Sequence, residues 1–264
     1  RQLGESAAWR GALFRLVKQR TGIDMNRQTV PLESIVSHTL GGLPVDGNGR
    51  CVVGTWARWF TGLYAAGDAS CTGLHGAAPL SGNRLLDSLT SGTSAGKHAG
   101  EWVVGRKFST ASGLEAAVNQ AEADISATMD IGDATHVVRC GTVMANLHAA
   151  LGSSSTLTAE SISSALAKLE QISITAESLH LDQQSLIANT NLLEILRVQA
   201  AVRMVATSLQ SGLVREESRG VFQREDFPET NDEFLHHITV SHDGTTGSLA
   251  IKKGAGGHWV LPPQ

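Results

Sequence analysis

The sequence predicts an α+β chain, on three observations. Residues 31–68 are rich in glycine and carry two apolar runs of strand length, Cys51-Val52-Val53 and Gly62-Leu63-Tyr64-Ala65-Ala66. Between residues 112 and 211, apolar side chains recur every three or four positions, the period of a helix with one buried face. Residues 234–253 alternate about Asp243-Gly244, a hairpin signal.

Residues 1–30 read as a short helix with Leu13, Leu16 and Val17 on one face, followed by a loop. The run Gly62 to Asp68 fits a buried strand whose C-terminal end, Gly67-Asp68, meets a ligand. Residues 69–83 are a loop of small residues, and Arg84 to Val104 is expected to be a helix with Leu85, Leu86 and Leu89 inward. Three long amphipathic helices follow. One carries Leu114, Val118, Ala121, Ile125 and Met129. A second carries Ile162, Leu166, Leu169 and Ile172. The third carries Leu192, Ile195, Leu196, Val202, Val205 and Leu209, with Gly212 as its C-cap. Helices of this length fit a small antiparallel bundle, with Ile162, Leu166, Leu193, Leu196 and Val202 in its core. Gly152 to Thr156 reads as a linker.

Composition narrows the function classes. The 264 residues are 41% hydrophobic, enough for a core, and only 17% charged, which fits either a quiet surface or a chain that buries surface against partners. The net charge of -4 gives no footprint for nucleic acid. No apolar run reaches the roughly 18 residues of a membrane span. Cys51, Cys71 and Cys140 lie far apart, and the ten histidines form no HxxxH pair, so no metal site is expected. His236-His237 is the densest histidine cluster, but adjacent strand residues face opposite ways. With Arg1 at its start and no signal-peptide pattern, the sequence reads as a chain that is processed, cut from a longer protein or only partly represented.

Three motifs carry a resemblance. The first is Ser37-His38-Thr39-Leu40-Gly41-Gly42, preceded by Thr21-Gly22-Ile23-Asp24 and Val30-Pro31. The second is Gly62 to Asp68, followed by Gly73-Leu74-His75-Gly76-Ala77 and Asn83-Arg84-Leu85-Leu86-Asp87. The third is Arg215-Glu216-Glu217-Ser218-Arg219-Gly220, followed by Arg224 to Glu229. In this order they resemble flavoprotein subunits of the succinate dehydrogenase, fumarate reductase and aspartate oxidase family, over nearly the whole chain.

The resemblance implies four regions: residues 1–36 as the end of a capping domain, 37–111 as the C-terminal part of a Rossmann-like FAD-binding domain, 112–214 as a helical bundle domain, and 215–264 as a C-terminal domain. It implies FAD as cofactor, with most of the FAD site on an N-terminal half not represented here. That half holds the family's GxGxxG fingerprint, the His that links FAD covalently in respiratory members, and the proton-transferring Arg. No catalytic residue can therefore be named in this sequence. The implied partners are that half, in another chain or a missing segment, and an iron–sulfur subunit. Membrane contact would be indirect, as a peripheral subunit on the matrix side of the mitochondrial inner membrane or the cytoplasmic face of a prokaryotic one.

By the same resemblance, Gly41 and Gly42 lie beside the isoalloxazine, Asp68 accepts from cofactor hydroxyls, and the helix opening at Asn83, Arg84 and Leu85 aims its N–H groups at the flavin pyrimidine edge. A simple turn at the glycines and a helix cap at Asp68 are the competing readings. Two departures stand out. Ser37 falls where the family has its substrate-binding His, and Pro79 replaces the Arg of His-Gly-Ala-Asn-Arg. Both losses remove cationic donors from a dicarboxylate site. His38, His75 and Arg84 are the candidates for substrate contact, Arg84 alternatively filling space or pairing with Asp87. Phe222 stands where the family often has His, and Glu217 with Arg219 is expected to form an ion pair. The readings left open are part of a FAD-dependent oxidoreductase acting on C–C bonds of dicarboxylates, a degenerate structural subunit, and a soluble aspartate oxidase-like flavoprotein.

Overall fold

The computed structural model describes residues 8–31, 39–53, 58–80, 82–107, 113–129, 137–152, 157–183, 185–241, 244–250, 252–253 and 259–260. The chain divides into two units, Arg1–Thr39 and Leu40–Gln264. In the first, helix α1 spans Ala8–Thr21 and places Lys18 and Arg20 in its last turn, where cations oppose the helix dipole. Gly22, at φ 77°, ends it by donating to the Lys18 carbonyl at 2.9 Å. Leu13 and Leu16 are exposed.

The second unit opens with four short strands: β1 (Leu43–Pro44), β2 (Arg50–Val53), β3 (Arg58–Tyr64) and β4 (Ser70–Cys71). β1 pairs parallel with β4, and β2 pairs antiparallel with β3. A bridge from Val45 to Cys51 ties the two pairs together. Helix α2 (Asn83–Val103) lies against them. Gly49 permits this approach, since a Cβ there would sit 2.5 Å from the Ala95 Cβ.

Two expectations are corrected here. The run ending at Asp68 is not a buried strand: β3 stops at Tyr64, is largely exposed and bonds to β2. Leu85, Leu86 and Leu89 do not point inward; all three are exposed on α2. An apolar residue on an amphipathic helix is buried only where a second surface meets it.

The helical region holds α3 (Leu114–Met129), α4 (Cys140–Leu151), α5 (Ala159–Glu177) and α6 (Thr190–Val214). Val143 and Leu147 of α4, Ile162, Ala165, Leu169 and Ile172 of α5, and Ile195, Val198, Val202 and Leu209 of α6 share one core. α3 contributes no buried residue, although it has the same periodicity. Of the expected core, Ile162 and Val202 are buried and Leu166 is partly so. Leu193 is 61% exposed and Leu196 is also exposed. The buried stripe runs through Leu192 and Ile195 instead, one residue earlier on the helix.

The starts of α5 and α6 are capped locally. Thr158 and Ser161 form a reciprocal capping box on α5, and the Asn189 side chain accepts from Leu192 N–H at 2.8 Å to start α6. Gly212 does not cap α6, which continues to Val214. Its lack of a side chain lets Phe222 and Ile162 come close. Beyond α6, strands β5 (His236–Val240) and β6 (Thr246–Ala250) form an antiparallel hairpin with Gly244 at φ 81° in its turn. Among the described residues, no helix is long and apolar enough to cross a membrane, and no metal-ligand cluster occurs.

Arg224, 2% exposed, closes this assembly. Its Nη1 donates to the carbonyls of Gly212 at 2.8 Å and Arg215 at 3.1 Å. Its Nε and Nη2 each meet an Asp226 oxygen at 2.7 Å. Replacing it strands buried carbonyls and their ion partner. Arg224→Met is therefore expected to lower the unfolding free energy by about 3–5 kcal/mol, measured by urea denaturation.

Candidate functional site

The turn at residues 67–69 links Gly42, which packs against Ala69, to the start of α2, where Arg84 meets Asp68. Gly41 and Gly42 adopt φ 114° and 144°, open to glycine and costly for other residues. They differ in surroundings. A Cβ at Gly42 would lie 2.6 Å from the Ala69 carbonyl oxygen, whereas nothing stands within 4 Å of one at Gly41. Close packing against the chain itself thus accounts for Gly42, and Gly41 leaves its backbone open.

Gly67–Ala69 is a single 3-10 turn that places Asp68 opposite α2. Arg84 Nε donates to both Asp68 oxygens, at 2.7 and 2.8 Å, and Nη2 makes a further short contact. Both side chains are half exposed. Arg84 therefore pairs with Asp68, not with Asp87. Asp87 instead faces His75, with Nε2 3.5 Å from Oδ2. That His75 nitrogen is buried and makes no hydrogen bond.

α2 begins after Gly82, at φ 87°, with no side-chain cap. Its first-turn N–H groups are of the kind that lack intrahelical acceptors. Leu74, Leu80, Leu85 (79% exposed) and Leu86 stand exposed around the same loop and first turn. Pro79 is half buried and offers no donor. Ser37 and His38 lie outside the described residues.

The C-terminal segment meets this loop from behind. Glu217 is fully buried. It accepts from Arg219 Nε at 3.0 Å, Arg215 Nη1 at 2.5 Å and Asn231 N–H at 3.0 Å. Burial raises its pKa, but hydrogen bonds from Arg219, Asn231 and Arg215 outweigh burial and hold the carboxyl below the ordinary range. The expected Glu217–Arg219 pair is thus present, with Arg215 as a third member that the sequence reading missed. Val221 N–H donates to the Ala77 carbonyl at 2.8 Å. His237, a poor metal candidate from sequence, has a packing role here. It stands against Gly73, where a Cβ would lie 3.0 Å from its Nε2. Burial, with Arg215 and His236 nearby, pushes the His237 pKa down.

These features are compatible with the ring end of a flavin. A planar apolar ring with a polar edge needs an open backbone, exposed apolar side chains and N–H donors at one rim, and Gly41, the leucines and the start of α2 supply them. The GxGxxG fingerprint does not occur in this sequence, so no pyrophosphate contact is assigned to it.

Comparison with known proteins agrees. The model described as "FAD binding domain" matches residues 8–85, and that described as "Fumarate reductase flavoprotein C-term" matches residues 154–255. The chain is 29% identical over 239 residues to a fumarate reductase flavoprotein subunit of Mycobacterium tuberculosis, covering 87% of this chain and 39% of that protein. It is 26% identical over 236 residues to a succinate dehydrogenase flavoprotein subunit of Rickettsia conorii, again covering 87% and 39%. Among solved structures, a quinol-fumarate reductase with menaquinol superposes at TM-score 0.75 and 24% identity, covering all of this chain and 44% of that one. The apo Sdh1 complex of Mycobacterium smegmatis gives 0.69 and 22%, covering 100% and 42%. The fold is that of these flavoproteins. These matches are to flavoprotein subunits of succinate dehydrogenase and fumarate reductase, and the matched FAD binding domain supports FAD as the cofactor. It spans about two fifths of the length of the curated relatives it matches.

The lowered Glu217 pKa has a definite pH signature. Its stabilisation is complete above the ordinary carboxylate value of 4.5 and is lost as pH falls through the lower native value. Urea midpoints measured below pH 5 should therefore decline more steeply for the native chain than for Glu217→Gln. Parallel declines would refute the assignment.

Proposed function

We propose that this chain supplies the flavin-facing C-terminal part of a FAD-dependent oxidoreductase acting on C–C bonds of dicarboxylates. Electrons pass on to an iron–sulfur partner, and the complex sits peripherally on a membrane. In this reading residues 1–36 end a capping domain, 37–111 complete the Rossmann-like FAD-binding domain, 112–214 form the helical bundle domain and 215–264 the C-terminal domain. Bound FAD supplies the hydride chemistry. Gly41 admits the ring while Gly42 packs beside it against the Ala69 carbonyl, Asn83 and Leu85 present the helix start to the ring's polar edge, and Asp68 takes cofactor hydroxyls. His38, His75 and Arg84 are the candidates for substrate contact. The remaining part of the flavoprotein fold, in the same or another chain, covers the exposed leucines of α2.

The observation that carries this reading is the uncapped start of α2 framed by exposed Leu85 and Leu86. Leu85→Asp tests it cleanly, because an acidic residue near a helix N-terminus favours the helix while placing a carboxylate where an electron-rich ring would sit. FAD affinity of the flavoprotein containing this chain should fall at least about tenfold with helical content unchanged. Unchanged affinity would refute the reading.

A second reading, of a subunit that keeps the fold without turnover, is favoured by the proline at position 79 and by the engagement of Arg84 with Asp68. Its prediction is a gain: Ser37→His with Pro79→Arg should strengthen dicarboxylate binding by about tenfold or more, the value of one charge-assisted hydrogen bond. Tight dicarboxylate binding by the native protein, abolished by Arg84→Ala, would exclude it.

A further inference from the structure

The loop Gly73–Ala77 carries His75 and runs into the start of α2, yet it forms no strand or helix of its own. Its two ends are held by one distant piece of chain. At the Ala77 end, Arg219 and Phe222 exchange backbone hydrogen bonds at 2.9 and 3.0 Å, leaving Gly220 and Val221 at the tip of a tight turn. Val221 N–H reaches the Ala77 carbonyl, and Gly220, at φ 59°, approaches so closely that a Cβ would overlap that carbonyl, 2.6 Å from its carbon. At the Gly73 end, the His237 ring fills the space that a side chain on Gly73 would need.

Both prongs trace to the same buried charge. Glu217 holds Arg219, whose Nη2 also donates to the Asn231 carbonyl at 3.1 Å, and this fixes the base of the Gly220 turn. Glu217 also holds Arg215, whose Nη1 and Nη2 donate to the carbonyls of Phe234 at 2.9 Å and His236 at 2.7 Å. Those contacts fix the start of β5 and with it His237. A fully buried carboxylate gripped by two guanidinium groups is held from both sides, because releasing either breaks a charge-assisted hydrogen bond that water cannot replace in the interior.

We propose that Arg215, Glu217 and Arg219 form a two-pronged clamp that sets the conformation of the Gly73–Ala77 loop, making them, with Gly220 and His237, positioning residues of the ligand site. The proposal rests on the reading that this loop borders the flavin site. The loop has no regular backbone pairing of its own, so its shape is inherited from the clamp. The C-terminal segment then acts on bound ligand without touching it.

The test uses the FAD-loaded flavoprotein that contains this chain, with hydrogen exchange and FAD affinity measured on the same variants. Gly220→Ala removes the Ala77 prong and His237→Ala the Gly73 prong. Gly152→Ala is the control: it has a similar φ of 70° but nothing within 4 Å, so it reports backbone strain alone. Exchange at residues 73–78 should rise at least about tenfold in Gly220→Ala and His237→Ala, and not in the control, while the amides of α4, α5 and α6 stay protected. FAD dissociation should strengthen in parallel, by about tenfold. Exchange no faster than in Gly152→Ala overturns the clamp and leaves the proposed function standing. A loosened loop with unchanged FAD affinity overturns the placing of this loop at the flavin site.

Discussion

The helical region depends on where one guanidinium goes. An α-helix ends with carbonyls that lack partners and begins with N–H groups that lack them, and burying either end is costly. Here the end of α6 and the start of α5 converge on one pair. Arg224 donates to carbonyls at the end of α6, and Asp226 accepts from the Ala159 N–H at 2.8 Å. Each charge also lies at the helix end whose dipole favours it. The hydrogen bond from Arg224 is the main reason the Asp226 carboxyl is held well below the usual carboxylate range. The segment carrying the pair is threaded to match: Glu225 N–H donates to the Leu157 carbonyl at 2.8 Å, and Ser218 Oγ accepts from Arg224 N–H at 2.8 Å.

From that anchor the order propagates outward. Once Arg224 fixes residues 218–226 against α5 and α6, Glu217 has no route to solvent and must gather Arg215 and Arg219. Those residues define the Gly220 turn and the start of β5, and both meet the loop before α2. The helical core therefore shapes the candidate site through one charged segment. The third motif, Arg215 to Glu229, links the two.

What was legible followed from local period and composition. The helices near 83–103, 159–177 and 190–214 and the hairpin around Gly244 have repeats of 3.6 and 2, which the chain displays whatever surrounds it. Burial was less legible, because it depends on what an apolar stripe meets. α3 and α2 carry good stripes that stay exposed, and the doublets Leu192-Leu193 and Ile195-Leu196 offered two stripes one residue apart. In the candidate site, the glycines and the helix start were readable as motifs. The pairing of Arg84 with Asp68, the reach of His237 to Gly73 and the role of Arg215 were not, because nothing local links residues so far apart in sequence.

The Arg84–Asp68 pair also bears on what the site can accept. A guanidinium in the first turn of a helix opposes the helix dipole, so Arg84 is badly placed unless an anion stands in front of it. Asp68 is that anion here, and the proposed reading also asks Asp68 to accept from cofactor hydroxyls. One carboxylate has lone pairs enough to divide between two partners, but it cannot grip a guanidinium through both oxygens and leave both free. A hydroxyl that engages Asp68 therefore loosens Arg84 and turns positive charge toward the start of α2. Exposed ion pairs are weakly held because water screens each charge, so this exchange of partners meets little resistance. In the proposed reading, a cofactor hydroxyl engaging Asp68 and an anion engaging Arg84 therefore favour one another.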